Sequence, residues 1–271
     1  MQIVIVNADD LGMNHQVNKA IEALIKEGVV TSSTIMSNGD SFDEAVEIAK
    51  TYSNISYGVH LCIDEFSPLI PNVIYSKNGM VNDKGFFIPY SYLYVKRNKE
   101  LENAIYEEWK AQIKKIIDCG VPINHLDTHH HVHCEPFLTP IYMRLANEFG
   151  IKKVRITLFS PLKIKIKGKR TLVRLNTISN NVEQKKKSRI NQLLTSIKTY
   201  VKLYHINNRI KKKFETTDYF CSFRFFLSNQ NLLKRYDTIE VMVHPGHTSY
   251  QQETDQLHKL KFMNDVVLRN Y

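Results

Sequence analysis

Five apolar, β-branched runs in this chain each stop at an asparagine, aspartate or histidine, and helical patterns fall between them. "QIVIV" runs into Asn7, Asp9 and Asp10, "VVTSSTIMS" into Asn38, and "ISYGV" into His60. "VPINHL" runs into Asp127 and His129, and "IEVMV" into His244. In the intervals, Val17, Ile21, Leu24 and Ile25 keep the spacing of three and four that marks a buried helix face. So do Ala45, Ile48 and Ala49, and later Leu101, Ile105, Trp109, Ile113 and Ile116. Strand alternating with helix predicts a parallel sheet. Parallel strands deliver every following loop to one edge, where ligands gather. The expected fold is α/β: a single-domain, distorted (β/α) barrel over residues 1–271, with an open doubly wound sheet as the alternative.

The 271 residues, 43% hydrophobic and 24% charged, suffice for one such core. Cys62, Cys119, Cys134 and Cys221 form no C-x-x-C pair. That speaks against a cysteine zinc site or a disulfide scaffold and suits a reducing compartment. "MQIVIVNADD" lacks the basic start and apolar length of a signal peptide, and no run approaches the roughly 20 apolar residues that span a bilayer. The expected location is the cytoplasm. The net charge of +10 is uneven: residues 152–213 hold 19 Lys and Arg against one acid, a net of +18. The remainder holds 18 against 26, a net of −8.

"HLDTHHHVH", residues 125–133, contains five of the 11 histidines. Core packing has no use for five imidazoles in nine residues, so the choice lies between a metal site, a hydrogen-bonded structural knot and an accident of composition in a solvated polar loop. On a helix, His129 and His133 would share a face; in an extended segment, His125, Asp127 and His129 would share one. Either suits a metal, with Asp127 orienting a ligating histidine from behind and His125 and His133 in similar supporting roles. In "NADDLG", Asp9 and Asp10 read as an acidic turn or helix cap, or as carboxylates sharing a cation that relieves their repulsion. Neighbouring side chains diverge, so one can bind the ion while the other faces a water. His60 of "GVHL" is alone a weak signal, a satisfied structural histidine being the ordinary reading. His244, at a strand end before Pro245 and Gly246, is placed for general acid or base work, whereas His247 is a loop residue.

"NADDLG", "VVTSST" at residues 29–34, "GVHL", "HLDTHHHVH" and "VHPG" follow one another in the order seen in YdjC-type carbohydrate deacetylases, and the chain resembles that family over nearly its whole length. The family includes enzymes that deacetylate chitooligosaccharides. The resemblance implies a metal-dependent hydrolase that takes an acetyl group from an N-acetyl sugar or oligosaccharide. It assigns Asp10, His60 and His129 to one divalent metal ion, Asp9 to the catalytic base, His244 to the acid, and Arg155 to restraining Asp9. Asn38 is expected to touch substrate. The ion is Zn, Co, Ni, Mn or Mg, with magnesium the outlier because it prefers all-oxygen shells.

The acidic pair also suits a magnesium-binding receiver module, but that leaves the histidines without a role and needs about half this length. The basic segment suits a nucleic-acid binder, yet no nucleic-acid motif is present and no specific nucleic acid is expected. Residues 157–236 match the family poorly and form a basic, helical, divergent region. There Ile190, Leu193, Leu194, Ile197, Val201 and Tyr204 fall on one helical face among lysines and arginines. That face is expected to pack on the barrel. The sharper alternative is peripheral contact with an anionic membrane through 152–213, which would suit a lipid-linked sugar. A homo-oligomer is compatible with all of this.

Overall fold

The computed structural model of the protein describes residues 2–156, 189–262 and 266–271, and no side chain of 189–196, 259 or 261–266. Among these residues eight parallel strands form one sheet: β1 (Gln2–Leu11), β2 (Ser32–Ile35), β3 (Ser56–Leu61), β4 (His125–Thr128), β5 (Lys153–Val154), β6 (Tyr219–Ser222), β7 (Thr238–Val243) and β8 (Val266–Leu268). Their order is β5-β4-β3-β2-β1-β7-β6, with β8 beside the start of β1. The sheet curls until its edges meet, because Lys153 of β5 makes a parallel bridge to Glu215, just ahead of β6. The result is the distorted (β/α) barrel, not the open sheet.

The connections carry α1 (His15–Lys26), α2 (Phe42–Thr51), α3 (Val73–Lys77), α4 (Lys99–Asp118), α5 (Thr139–Glu148) and α6 (Arg189–Lys211). Asn14 and Asn98 cap α1 and α4, each side chain accepting a backbone N–H of the first turn. The predicted stripes are buried: Val17, Ile21, Leu24 and Ile25 on α1, and Leu101, Ile105, Trp109, Ile113 and Ile116 on α4. Hydrophobic burial of these faces, about 25 cal/mol per Å² of apolar surface, holds the helices to the outside of the sheet.

Inside the barrel the pattern is different. Asn7 on β1 and His125 on β4 have two strands between them, yet Asn7 Oδ1 lies 3.1 Å from His125 Nε2, so both side chains point into the lumen. Strand alternation then sends Asp9 and Asp127 inward as well. Ser32 and Thr34 of β2 join them, Ser32 Oγ donating to Asn7 Oδ1 at 2.7 Å and Thr34 Oγ1 to Asp127 Oδ2 at 3.1 Å. Barrels of this kind commonly fill with aliphatic side chains; this one fills its mouth with hydrogen-bonded polar ones. A network like this tolerates little displacement, because an unpaired member would be buried without a partner.

Gly58 makes room for it. A Cβ there would lie 2.7 Å from both the His125 ring and the His125 carbonyl oxygen. Gly58→Ala is therefore expected to destabilise the fold by about 1–3 kcal/mol, read from urea unfolding; an unchanged midpoint would show that the ring moves aside freely.

Two expectations need correction. The stretch 157–236 is not simply helical, since it supplies the barrel strand β6 and, through Glu215, the bridge to β5. Residues 157–188 of it lie outside the described residues. Second, α6 does not pack through its predicted stripe. Ile197, Val201 and Tyr204 are 37%, 45% and 48% exposed, while Ile206 and Ile210 are buried. The other side of the helix carries the contact with the barrel. Ile190, Leu193 and Leu194, which complete the stripe in sequence, fall outside the described side chains. Among the described residues no helix is long and apolar enough to cross a membrane.

Candidate metal centre and active site

An even strand would send Asp9 and Asp10 to opposite faces. In β1 the pairing with β2 slips between Ala8 and Leu11, and Asp10 takes φ 69°, a left-handed conformation that aspartate tolerates better than most residues. This irregularity brings both carboxylates to the mouth of the barrel.

Asp10 Oδ1 then lies 3.1 Å from His60 Nε2 and 3.0 Å from His129 Nδ1, with all three side chains buried. Separations of ~3–3.5 Å are what ligand atoms ~2.1 Å from a shared cation require. Each imidazole is held from behind. His60 Nδ1 sits 2.6 Å from Asp127 Oδ1 and 3.2 Å from Thr34 Oγ1, which leaves Nε2 to face Asp10. His129 Nε2 sits 2.8 Å from Glu65 Oε2. The donor set fits a divalent ion on chemistry as well as spacing. Burial opposes charge on His60, but Asp127 and Asp10 override it and lift its pKa to about 9. His129 is raised likewise: burial opposes, and Asp10 prevails. The carboxylates call for positive charge at this point, and protons compete with a cation to supply it.

Asp9 belongs to a different set of contacts. Arg155 grips it with two nitrogens, Nη1 to Oδ2 at 2.7 Å and Nη2 to Oδ1 at 2.6 Å, and Asn7 Nδ2 donates to Oδ1 at 2.8 Å. Burial opposes ionisation of Asp9, but the guanidinium holds its carboxyl well below the usual range. The same Arg155 reaches Asp127 Oδ2 through Nη1 at 2.7 Å and Glu240 Oε1 through Nε at 2.7 Å. Tyr271 donates its hydroxyl to the other Glu240 oxygen and stacks on His125, ring centroids 4.2 Å apart. One buried cation thus ties together β1, β4 and β7.

His244 stands across from Asp9, Nε2 to Oδ2 4.0 Å, with its ring stacked on Tyr250 at 4.5 Å. Its backbone N–H donates to Glu253 Oε1 at 2.9 Å. Burial pushes its pKa down, against Asp10 and Asp9, so the ring favours the neutral form.

The remaining sequence candidates lie elsewhere. His125 meets Asn7 and Ser32 deeper in the lumen and touches none of the three converging atoms. His133 Nδ1 bonds Thr128 Oγ1 at 2.6 Å and its ring stacks on Tyr142. His130 and His131 both have positive φ, 47° and 53°, so the run is a tight turn and His129 and His133 share no helical face. Asn38 follows β2 by three residues, and its amide donates to the carbonyls of Glu65 and Ser67 at 3.1 and 3.4 Å. Sequence reading missed Thr34, Glu65, Glu240, Glu253 and Tyr271. Glu240 alone carried a signal, an acid inside the apolar run "IEVMV".

Fold and site define a class: a parallel (β/α) barrel with a carboxylate–imidazole cluster at the carboxyl ends of its strands. The profile of the YdjC-like protein family matches residues 3–271, and the chain belongs to that family. A carbohydrate deacetylase of Vibrio parahaemolyticus is 38% identical over 148 residues, covering 55% of this chain and 57% of the relative. One of Brevibacillus brevis is 35% identical over 148 residues, with the same coverage of 55% and 57%. The match therefore spans little more than half the length of these curated relatives. A crystal structure from Enterococcus faecalis V583, provisionally described as a cellobiose-phosphate cleavage protein, superposes with a TM-score of 0.62 at 21% identity. It covers 100% of this chain and 97% of that one, and shares the fold.

Proposed function

We propose that the protein is a metal-dependent hydrolase that removes an acetyl group from an N-acetylated sugar or oligosaccharide, yielding acetate and a free amino sugar. The observation that carries this reading is the convergence of Asp10, His60 and His129 beside an ionised Asp9 that faces His244. Family membership and deacetylase relatives support it.

A divalent ion held by Asp10, His60 and His129 would acidify a water and stabilise negative charge on the acetamide oxygen. Asp9 accepts the proton that the water loses on attack. Arg155 keeps Asp9 ionised and aimed, and because it lowers the basicity, Asp9 gives the proton up readily to His244, which faces it at 4.0 Å and is neutral before the step. His244, protonated by that transfer, passes the proton to the departing nitrogen, and Tyr250 restrains its ring. Asn38 shapes the substrate side by holding the 65–67 turn. The substrate is free or lipid-linked. Two imidazoles in the donor set favour Zn, Co, Ni or Mn over Mg. The four cysteines are free, which fits the cytoplasm.

Elemental analysis tests the ion directly. Wild type is expected to retain about one divalent ion per chain, and Asp10→Ala and His129→Ala to lose it. His130→Ala should keep it, since His130 Nδ1 faces Asp64 at 2.9 Å rather than Asp10. Retention should also fall with decreasing pH as protons take the lone pairs of His60 and His129. Full occupancy in both ligand variants would end the proposal.

A further inference from the structure

We propose that the outward face of α6 is a docking surface for an anionic lipid membrane. Ile197, Val201 and Tyr204, at spacings of four and three, form a single exposed stripe. Helices on soluble domains ordinarily turn such residues inward, and here that role is already filled by Ile206 and Ile210. Residues 197–213 contain Lys198, Lys202, Arg209, Lys211, Lys212 and Lys213 and no acid at all. Lys202 pairs with Glu135 at 2.8 Å; the other five have no ion-pair partner among the described residues.

Charge decides the occupant. Two copies meeting through this face would bring ten such cations together with nothing to neutralise them, which costs association dearly. A nucleic acid would meet the lysines but leave Ile197 and Val201 against a polar backbone. An anionic bilayer satisfies both features: the stripe enters the acyl boundary while flexible lysine stems carry their ammonium groups to the phosphates.

Position adds a consequence. Lys202 holds Glu135, the residue after the His129–Cys134 turn, so that part of α6 lies level with the mouth of the barrel. Beyond the other end of the helix, Glu215 pairs with the residues that begin β5. A membrane against the stripe therefore lies beside the active-site edge, where a sugar carried on a lipid would be presented. This last step rests on the proposed function; the docking does not.

Cosedimentation of the full chain with phosphatidylcholine vesicles, with and without phosphatidylglycerol, tests it. At low salt the protein is expected to pellet only with phosphatidylglycerol present, and added salt should release it. Each cation near such a surface contributes about fivefold in partition, so replacing Lys211, Lys212 and Lys213 by Gln should weaken binding by about two orders of magnitude. Val201→Glu, at a site already exposed, should abolish binding without unfolding the chain, which circular dichroism checks. Tyr204→Trp should give emission that shifts to the blue on phosphatidylglycerol vesicles alone. Indifference to phosphatidylglycerol would overturn the proposal. So would binding that Val201→Glu leaves intact, since the stripe would then be idle, or concentration-dependent self-association that Val201→Glu removes, since the face would then bind a second copy.

Discussion

Asp9→Asn is expected to keep its divalent ion and to lose about 10²–10⁴-fold in turnover. The two halves of this outcome follow from separate contacts. None of the three converging atoms belongs to Asp9, so the amide would remove nothing from a cation held there. Its oxygens are held by Arg155 and Asn7 and face His244, so in the proposed mechanism the substitution removes the group that takes a proton from the attacking water. An asparagine turns one NH2 group toward the guanidinium, and the strain of two donors meeting adds a structural cost that must be separated from the chemical one. Kinetics of acetate release on variant protein with verified ion content and a verified melting curve makes that separation. Near-normal turnover in a folded, loaded variant would return Asp9 to a structural role and leave the base to be sought elsewhere.

The barrel was legible in the sequence because its signals are local. A stripe such as Leu101, Ile105, Trp109, Ile113 and Ile116 needs only helical periodicity to be seen, and the structure buries all five. Strands that end in polar residues announce their common edge in the same way. What local pattern could not show is the irregularity in β1, because Asp10 at φ 69° lies where pairing with the distant strand β2 slips, between Ala8–Ser33 and Leu11–Ile35. The histidine run misled for a related reason. Helical spacing offered His129 and His133 as partners, but left-handed residues at 130 and 131 tighten the chain, and the second ring faces Thr128 and Tyr142 instead. Glu240 and Tyr271 escaped because their meaning lies in Arg155, 85 and 116 residues away in the chain. The α6 stripe was visible, but amphipathicity alone does not say which face a helix turns to its own domain. Ile206 and Ile210 settle that in the structure.

The buried charges also explain why one residue outside the proposed metal ligands matters so much. Asp9, Asp127 and Glu240 are all removed from solvent, and Arg155 is the guanidinium that contacts each of them. Burial raises Glu240 to about 7 in spite of Arg155, a sign of how poorly the site tolerates more negative charge. Arg155→Met fills a similar volume but leaves three carboxylates facing one another in a low-dielectric interior. Breaking a buried pair in this way costs about 3–5 kcal/mol, because the stranded charges lose their partner without regaining water. The expected result is a variant with a urea midpoint far below wild type, or one that does not accumulate folded. Arg155→Lys should recover little, since a single ammonium cannot hold Asp9 through two nitrogens while also reaching Asp127 and Glu240. Removing a charge as well should help: Arg155→Met with Glu240→Gln is expected to be more stable than Arg155→Met alone, by a coupling of about 0.5–3 kcal/mol in a double-mutant cycle. A strictly additive cycle, or an Arg155→Met midpoint within about 0.5 kcal/mol of wild type, would mean that the carboxylates find other neutralisation, from protons or from an ion bound at Asp10, and that Arg155 serves only to aim Asp9.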